Sequence, residues 1–158
     1  MNSTPLTRHG ANLLKQELHN LKKYERPYVI SQISEARAHG DLSENAEYNA
    51  AKERQSFIEG RITDIENKLN NAVIIDPLNL DADGRVVFAS TVYLENLETS
   101  EKVTYQIVGI DEANIKESKI SITSPIARAL IGKTSGDIIF FKSPSGLQEY
   151  KILKVIYI

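Results

Sequence analysis

The stretch Ile58-Glu59-Gly60-Arg61-Ile62-Thr63-Asp64-Ile65-Glu66-Asn67-Lys68-Leu69-Asn70-Asn71-Ala72 sets apolar side chains at Ile58, Ile62, Ile65, Leu69 and Ala72. The steps of four, three, four and three return to one helix face every two turns, the spacing of a coiled-coil seam. The same spacing occurs upstream, at Ala11, Leu14, Leu18 and Leu21 and again at Val29, Ile33 and Ala36. Thr7, after Pro5, is a suitable N-cap for this first helical run. Pro27 separates the two upstream runs and is expected to kink the helix or shift its phase. A break near His39-Gly40 divides the upstream helix from the one that carries Ile58. Two helices with one apolar stripe each, joined by a few residues, fold back antiparallel. Each arm of about 30 residues is roughly 45 Å long at ~1.5 Å per residue. The chain has no third or fourth long helix to complete a bundle, so a projecting hairpin with its tip near Gly40 is expected.

Beyond the seam the period changes. Segments 85–88, 91–97, 103–108, 119–123, 137–141 and 150–156 are short, β-branched and aromatic-rich, and are expected to be strands. Ser124 caps a short helix among them, Pro125 takes its first position and Gly132 ends it. The fold class is α+β: a coiled-coil hairpin over 1–75, a linker over 76–84 marked by Pro77 and Asp83-Gly84, and a compact domain over 85–158.

Composition narrows the functional classes. The 158 residues carry a net charge of −2. Residues 1–75 hold ten Lys+Arg and ten Asp+Glu, and residues 76–158 hold nine and eleven. A general nucleic-acid binder would carry a basic excess, so any nucleic-acid contact is local or made through a partner. The chain contains no cysteine, which excludes disulfides and thiolate sites. The start Met1-Asn2-Ser3-Thr4-Pro5 lacks the basic and apolar regions of a signal peptide, and no apolar run reaches membrane-helix length. A cytoplasmic location is expected.

The tip reads Arg37-Ala38-His39-Gly40-Asp41-Leu42-Ser43-Glu44-Asn45-Ala46-Glu47-Tyr48. One interpretation is purely local: Gly40 ends the first helix with positive φ, Asp41 N-caps the second, and Glu44 completes a capping box. The other is functional. Asp41, Glu44 and Glu47 crowd the end of an otherwise charge-balanced arm whose length does little for its own chain's folding. Paired carboxylates are hard oxygen ligands suited to Mg²⁺. Two of them are too few for a tight site, so the tip would work only where a partner supplies further ligands and substrate. Neither a hydrolase triad from His39, Asp41 and Ser43 nor a zinc site from His9, His19 and His39 has workable spacing.

The segment Ala36–Tyr48 resembles the tip signature of the bacterial Gre transcript-cleavage factors, of the GreA type. Ser124-Pro125-Ile126-Ala127-Arg128-Ala129-Leu130-Ile131-Gly132-Lys133, followed by Gly136-Asp137, is similar to a second motif of that family, and the likeness spans the chain. The resemblance implies a coiled coil that enters the secondary channel of RNA polymerase and a C-terminal FKBP-like domain that docks near the entrance. It implies that Asp41 and Glu44 are the catalytic pair, sharing Mg²⁺ with the polymerase active site to cut the 3′ end of backtracked RNA. The chain would then be an accessory factor and not itself an enzyme, working as a monomer with no cofactor of its own. Arg37 and Lys52 match the family's RNA-guiding basic patch, although pairing with Glu35, Glu47 or Glu53 is an equally good account of them. Gly40, Asn45 and Tyr48 would support the tip, and Ser124, Pro125 and Arg128 would lie at the polymerase-docking edge. Two alternatives remain: a non-cleaving channel regulator, and a free-standing prolyl isomerase or chaperone, which would need an aromatic-lined pocket.

Overall fold

The structure, a computed structural model, describes residues 3–40 and 45–158. The chain divides into two compact units: residues 1–4 with 12–72, and residues 5–11 with 73–158.

In the first unit, one arm of a helical hairpin runs through α1 (Arg8–Asn20, from residue 12 onward), a π-helical turn (Leu21–Glu25) and α2 (Arg26–Ala38); the other arm is α3 (Ala46–Asn70). The 25 residues of α3 make it about 38 Å long. Leu14, Leu21, Val29, Ile33 and Ala36 on one arm and Ala51, Ile58, Ile62 and Ile65 on the other are buried, so the spacing seen in the sequence is the seam that forms the core. Leu18 and Leu69 are only half-buried at its margins.

Pro27 shifts the phase by way of the π turn. From Leu21 to Val29 the seam steps eight residues, which in an α-helix overshoots two turns by about 80°. The π turn takes up the surplus residue: the Arg26 N–H reaches Leu21 O, five residues back. Pro27 has no N–H to offer the Lys23 carbonyl, so the ladder is already open at this point.

Ion pairs cross the arms beside the turn. Lys22 meets Glu66 at 2.8 Å, Arg54 meets Glu25 at 3.2 Å, and Arg61 meets Glu17 at 2.6 Å. Arg26 grips Glu59 with two bonds of 2.8 Å. Such exposed pairs fix register more than they stabilise. The Arg26 guanidinium hydrogen-bonds the Glu59 carboxylate and holds its pKa below the ordinary glutamate value. Because the folded value is the lower one, this contribution is present above the unfolded pKa and is lost as pH falls through the folded value. Carboxyl NMR titration should therefore find Glu59 among the most acidic glutamates, and Arg26→Gln should return it to the ordinary range. An unchanged Glu59 titration in the variant would show that the bidentate pair does not form in solution.

Two three-residue strands, β1 (Thr4–Leu6) and β2 (Ala72–Ile74), form a small ribbon that the sequence did not announce. Within the second unit, β3 (Thr91–Asn96), β4 (Lys102–Val108), β5 (Lys119–Ser121), β6 (Ile138–Ser143) and β7 (Gly146–Ile156) make one sheet in the order β5-β4-β3-β7-β6. All neighbours are antiparallel except β4 and β5. The helix α4 (Pro125–Leu130) contributes Ala127 and Leu130 to a core with Val86, Val92, Leu94, Ile107 and Ile152. Segment 85–88 is not a strand. Only Arg85 bridges, to Thr134, and Ala89 at φ 74° turns the chain out of extension.

The second unit also holds a buried carboxylate. The Thr7 hydroxyl donates to Glu112 Oε1 and accepts the Gly10 N–H at 3.0 Å, which makes Thr7 the N-cap expected of it. Lys119 Nζ lies 3.5 Å from the other Glu112 oxygen, and the Glu112 side chain is 4% exposed. A Cβ at Gly10 would stand 2.6 Å from Glu112 Oε1, so a larger residue there would push the carboxylate aside.

Candidate functional site

The tip is built from the two helix ends of the hairpin. His39 is the C-cap of α2, with its N–H bonded to Ala36 O at 3.2 Å. Gly40 follows at φ 107°, a backbone that glycine adopts without strain. The N-cap of α3 is Asn45, whose side chain accepts the Tyr48 N–H at 3.0 Å, so the capping role that the sequence offered to Asp41 falls, for α3, to Asn45. The Asn45 amide also donates to Ala36 O at 2.8 Å, joining the arms. Glu47 lies in the first turn of α3, where the helix dipole favours an acid, and meets His39 Nδ1 at 3.8 Å. Tyr48 is half-buried beside it. Asp41 and Glu44, the proposed catalytic pair, lie outside the described residues.

Arg37 and Lys52 come from opposite arms and line one groove with Ile33, Ser34 and Gln55. The Lys52 ammonium donates to Gln55 at 3.2 Å. Among the described residues neither cation has an acidic partner, whereas Arg26, Arg54 and Arg61 on the same hairpin all do. The groove is therefore a small field of positive charge, with Arg37 in the last turn of α2 and Lys52 about two turns into α3. Among the described residues no group of three or more His, Asp or Glu side chains is placed to hold a metal.

In the second unit, Ser124 caps α4 by accepting the Ala127 N–H at 3.3 Å, and its hydroxyl donates to Ser121 O at 2.7 Å. Its polar atoms are thus used within the fold, while Pro125 and Arg128 are exposed beside it. A groove at the end of α4, lined by Leu80, Ala82, Val86, Val87 and Ile131, has no aromatic side chain in its wall, unlike the pocket a prolyl isomerase needs. No helix among the described residues is long and apolar enough to cross a membrane.

A hairpin capped at its tip and an antiparallel-rich sheet domain define a two-part factor, and comparison with known proteins gives its relationship. The family descriptions "Transcription elongation factor, N-terminal" and "Transcription elongation factor, GreA/GreB, C-term" match residues 4–74 and 81–157. The chain belongs to the GreA/GreB family of transcription elongation factors. It is 61% identical to transcription elongation factor GreA of Neisseria meningitidis serogroup A, over 100% of both chains. It is 58% identical to that of Ralstonia nicotianae, again over 100% of both. The solved Gfh1 protein of Thermus thermophilus is 29% identical, with a TM-score of 0.44 over 98% of this chain and 99% of that one.

Proposed function

We propose that this elongation factor acts on RNA polymerase from within its secondary channel, lending Asp41 and Glu44 to the polymerase's own cleavage of the 3′ end of backtracked RNA. The observation that carries the reading is the tip: Asn45 caps α3 and ties it to the end of α2, at the two helix ends between which the sequence places Asp41 and Glu44. The full-length relationship to elongation factors supports it. So does the groove of Arg37 and Lys52, whose charges are available for RNA phosphates.

Asp41 and Glu44 are hard oxygen donors of the kind Mg²⁺ takes beside water and phosphate oxygens, and they would hold it jointly with polymerase ligands. When bound there, the metal would lower the pKa of an attacking water and neutralise charge on the leaving oxygen. Two carboxylates make an incomplete site, so the chain acts as an accessory factor that cleaves nothing alone. Pro125 and Arg128, exposed on α4, are the docking residues of this reading, with Ser124 shaping the turn beneath them. The working form is a monomer in the cytoplasm.

The test is RNA cleavage in a halted, backtracked polymerase complex, with a control lacking polymerase. Polymerase-dependent shortening of the transcript is expected. Tight binding without shortening would instead make the chain a non-cleaving channel regulator. Arg37→Ala and Lys52→Ala should each weaken crosslinking of the tip to the RNA 3′ end severalfold while leaving polymerase affinity within about twofold, since exposed charges contribute little to folding. Unchanged crosslinking in both variants would remove the RNA-guiding role.

A further inference from the structure

We propose that Gln55 is the positioning residue of the basic groove: it holds the Lys52 ammonium through a neutral oxygen, so that Lys52 and Arg37 keep their charge for an RNA phosphate. The inference rests on the reading of that groove given above. At about 100° per residue, Lys52, Gln55, Glu59 and Glu66 fall within roughly 60° of one another around α3. They form one stripe along a flank of the seam. Arg26, Ile30 and Arg37 form the facing stripe on α2, within roughly 40°. The flank carries a ladder of opposite charges. Glu66 meets Lys22 at 2.8 Å, and Glu59 accepts two bonds of 2.8 Å from Arg26. Four residues before Glu59 the stripe reaches Gln55. There the ladder stops, and the groove of Arg37 and Lys52 begins.

The side chain at this position decides the charge of the groove. Gln55 Oε1 accepts from Lys52 Nζ at 3.2 Å. A glutamate would accept the same bond with a charged oxygen, because residues three apart on a helix are neighbours. Lys52 would then be neutralised as Lys22 and Arg26 are. The acids Glu35 and Glu47 line a different groove, where Glu47 meets His39 at 3.8 Å. Gln55 is half-buried, whereas Lys52 and Arg37 are exposed. The amide is thus the fixed member of the group, and the cations are the members that can turn to a ligand. Holding a long, rotamer-rich side chain in place before RNA arrives lowers the cost of ordering it on binding.

Gln55→Glu keeps the shape and the bond and adds a negative charge. At saturating factor, where affinity for the polymerase does not enter, it should lower the stimulated cleavage rate in the halted complex about fivefold at low salt. The deficit should narrow as salt rises and screens the added carboxylate. Gln55→Ala keeps the charge of the groove and loses the hold on Lys52, and should cost about twofold. Neither variant should lower the melting temperature, because the bond to Lys52 is exposed. A role confined to helix stability would make Gln55→Ala the worse variant, with a lowered melting temperature and no change in salt dependence. That pattern would overturn the proposal, as would a wild-type rate for Gln55→Glu at low salt. If the wild-type chain itself gave no stimulation, the functional reading would fail, and Gln55 would be judged on the free protein. Inorganic pyrophosphate should then shift the side-chain NMR signals of Arg37 and Lys52 in the wild type, and bind severalfold more weakly to Gln55→Glu than to Gln55→Ala. Equal affinity for the two variants, or no shift in the wild type, would overturn the proposal.

Discussion

Asp41→Asn combined with Glu44→Gln should reduce stimulated RNA cleavage by about a hundredfold or more, a loss of the size seen when a group that stabilises transition-state charge is removed. Affinity for RNA polymerase should stay within about twofold. The substitutions preserve shape and remove only charge, and a neutral amide is a far weaker partner for Mg²⁺ than a carboxylate. The fold should not suffer, because the N-cap of α3 is Asn45 and the nearby seam is closed by the buried residues Ala36 and Ala51. Raised Mg²⁺ should not restore the double variant. Each single variant should lie between the wild type and the double. Full stimulation by both single variants would rule out a metal-ligand role for the pair and return Asp41 and Glu44 to local structure.

How much of this was legible in the sequence follows from the range of the forces involved. The seam was legible because burial of Ile58, Ile62 and Ile65 repeats with the helix period, and that repeat is written in order along the chain. The π turn was half legible: Pro27 and the eight-residue step from Leu21 to Val29 announced a disturbance. Kink and phase shift, however, leave the same mark in a list of residues. Segment 85–88 misled because Val86 and Val87 suit a strand. Val86 is instead held by single backbone bonds to Gly132 and Lys133, contacts more than 40 residues distant in the chain. At the tip, Asp41 and Asn45 are both good N-caps by residue type. The choice between them, and the bond from Asn45 across to Ala36, are set by the register of one arm against the other. The same register decides that Arg54 finds Glu25 while Arg37 and Lys52 share a groove with Gln55. The buried Glu112 lay deepest out of sight, since its partners Thr7 and Gly10 are about 100 residues away.

That carboxylate gives the largest expected effect on stability, and it sets the sign of a substitution at a neighbouring position. Glu112→Ala should cost about 2–3 kcal/mol, because it leaves the Thr7 hydroxyl without its acceptor in a buried place and takes from Lys119 the less exposed of its two acidic partners. Lys119 is 20% exposed and keeps Glu117 at 3.7 Å, which holds the cost below that of a fully enclosed pair. Gly10→Ala should also destabilise, by about 1–3 kcal/mol, since the new methyl would stand 2.6 Å from Glu112 Oε1 and force a tied side chain to move. Combined, the two should not add. Once Glu112 is alanine, the oxygen that excluded the methyl is gone, and alanine in a helix is better than glycine by about 1 kcal/mol. Gly10→Ala should then be neutral or stabilising, with Thr7 Oγ1 at 3.3 Å the remaining close contact. Urea unfolding of the four proteins in a double-mutant cycle measures this directly. If Gly10→Ala cost the same in both backgrounds, the Glu112 carboxylate would not be what holds position 10 to glycine, and the first turn of α1 would owe its place to other contacts.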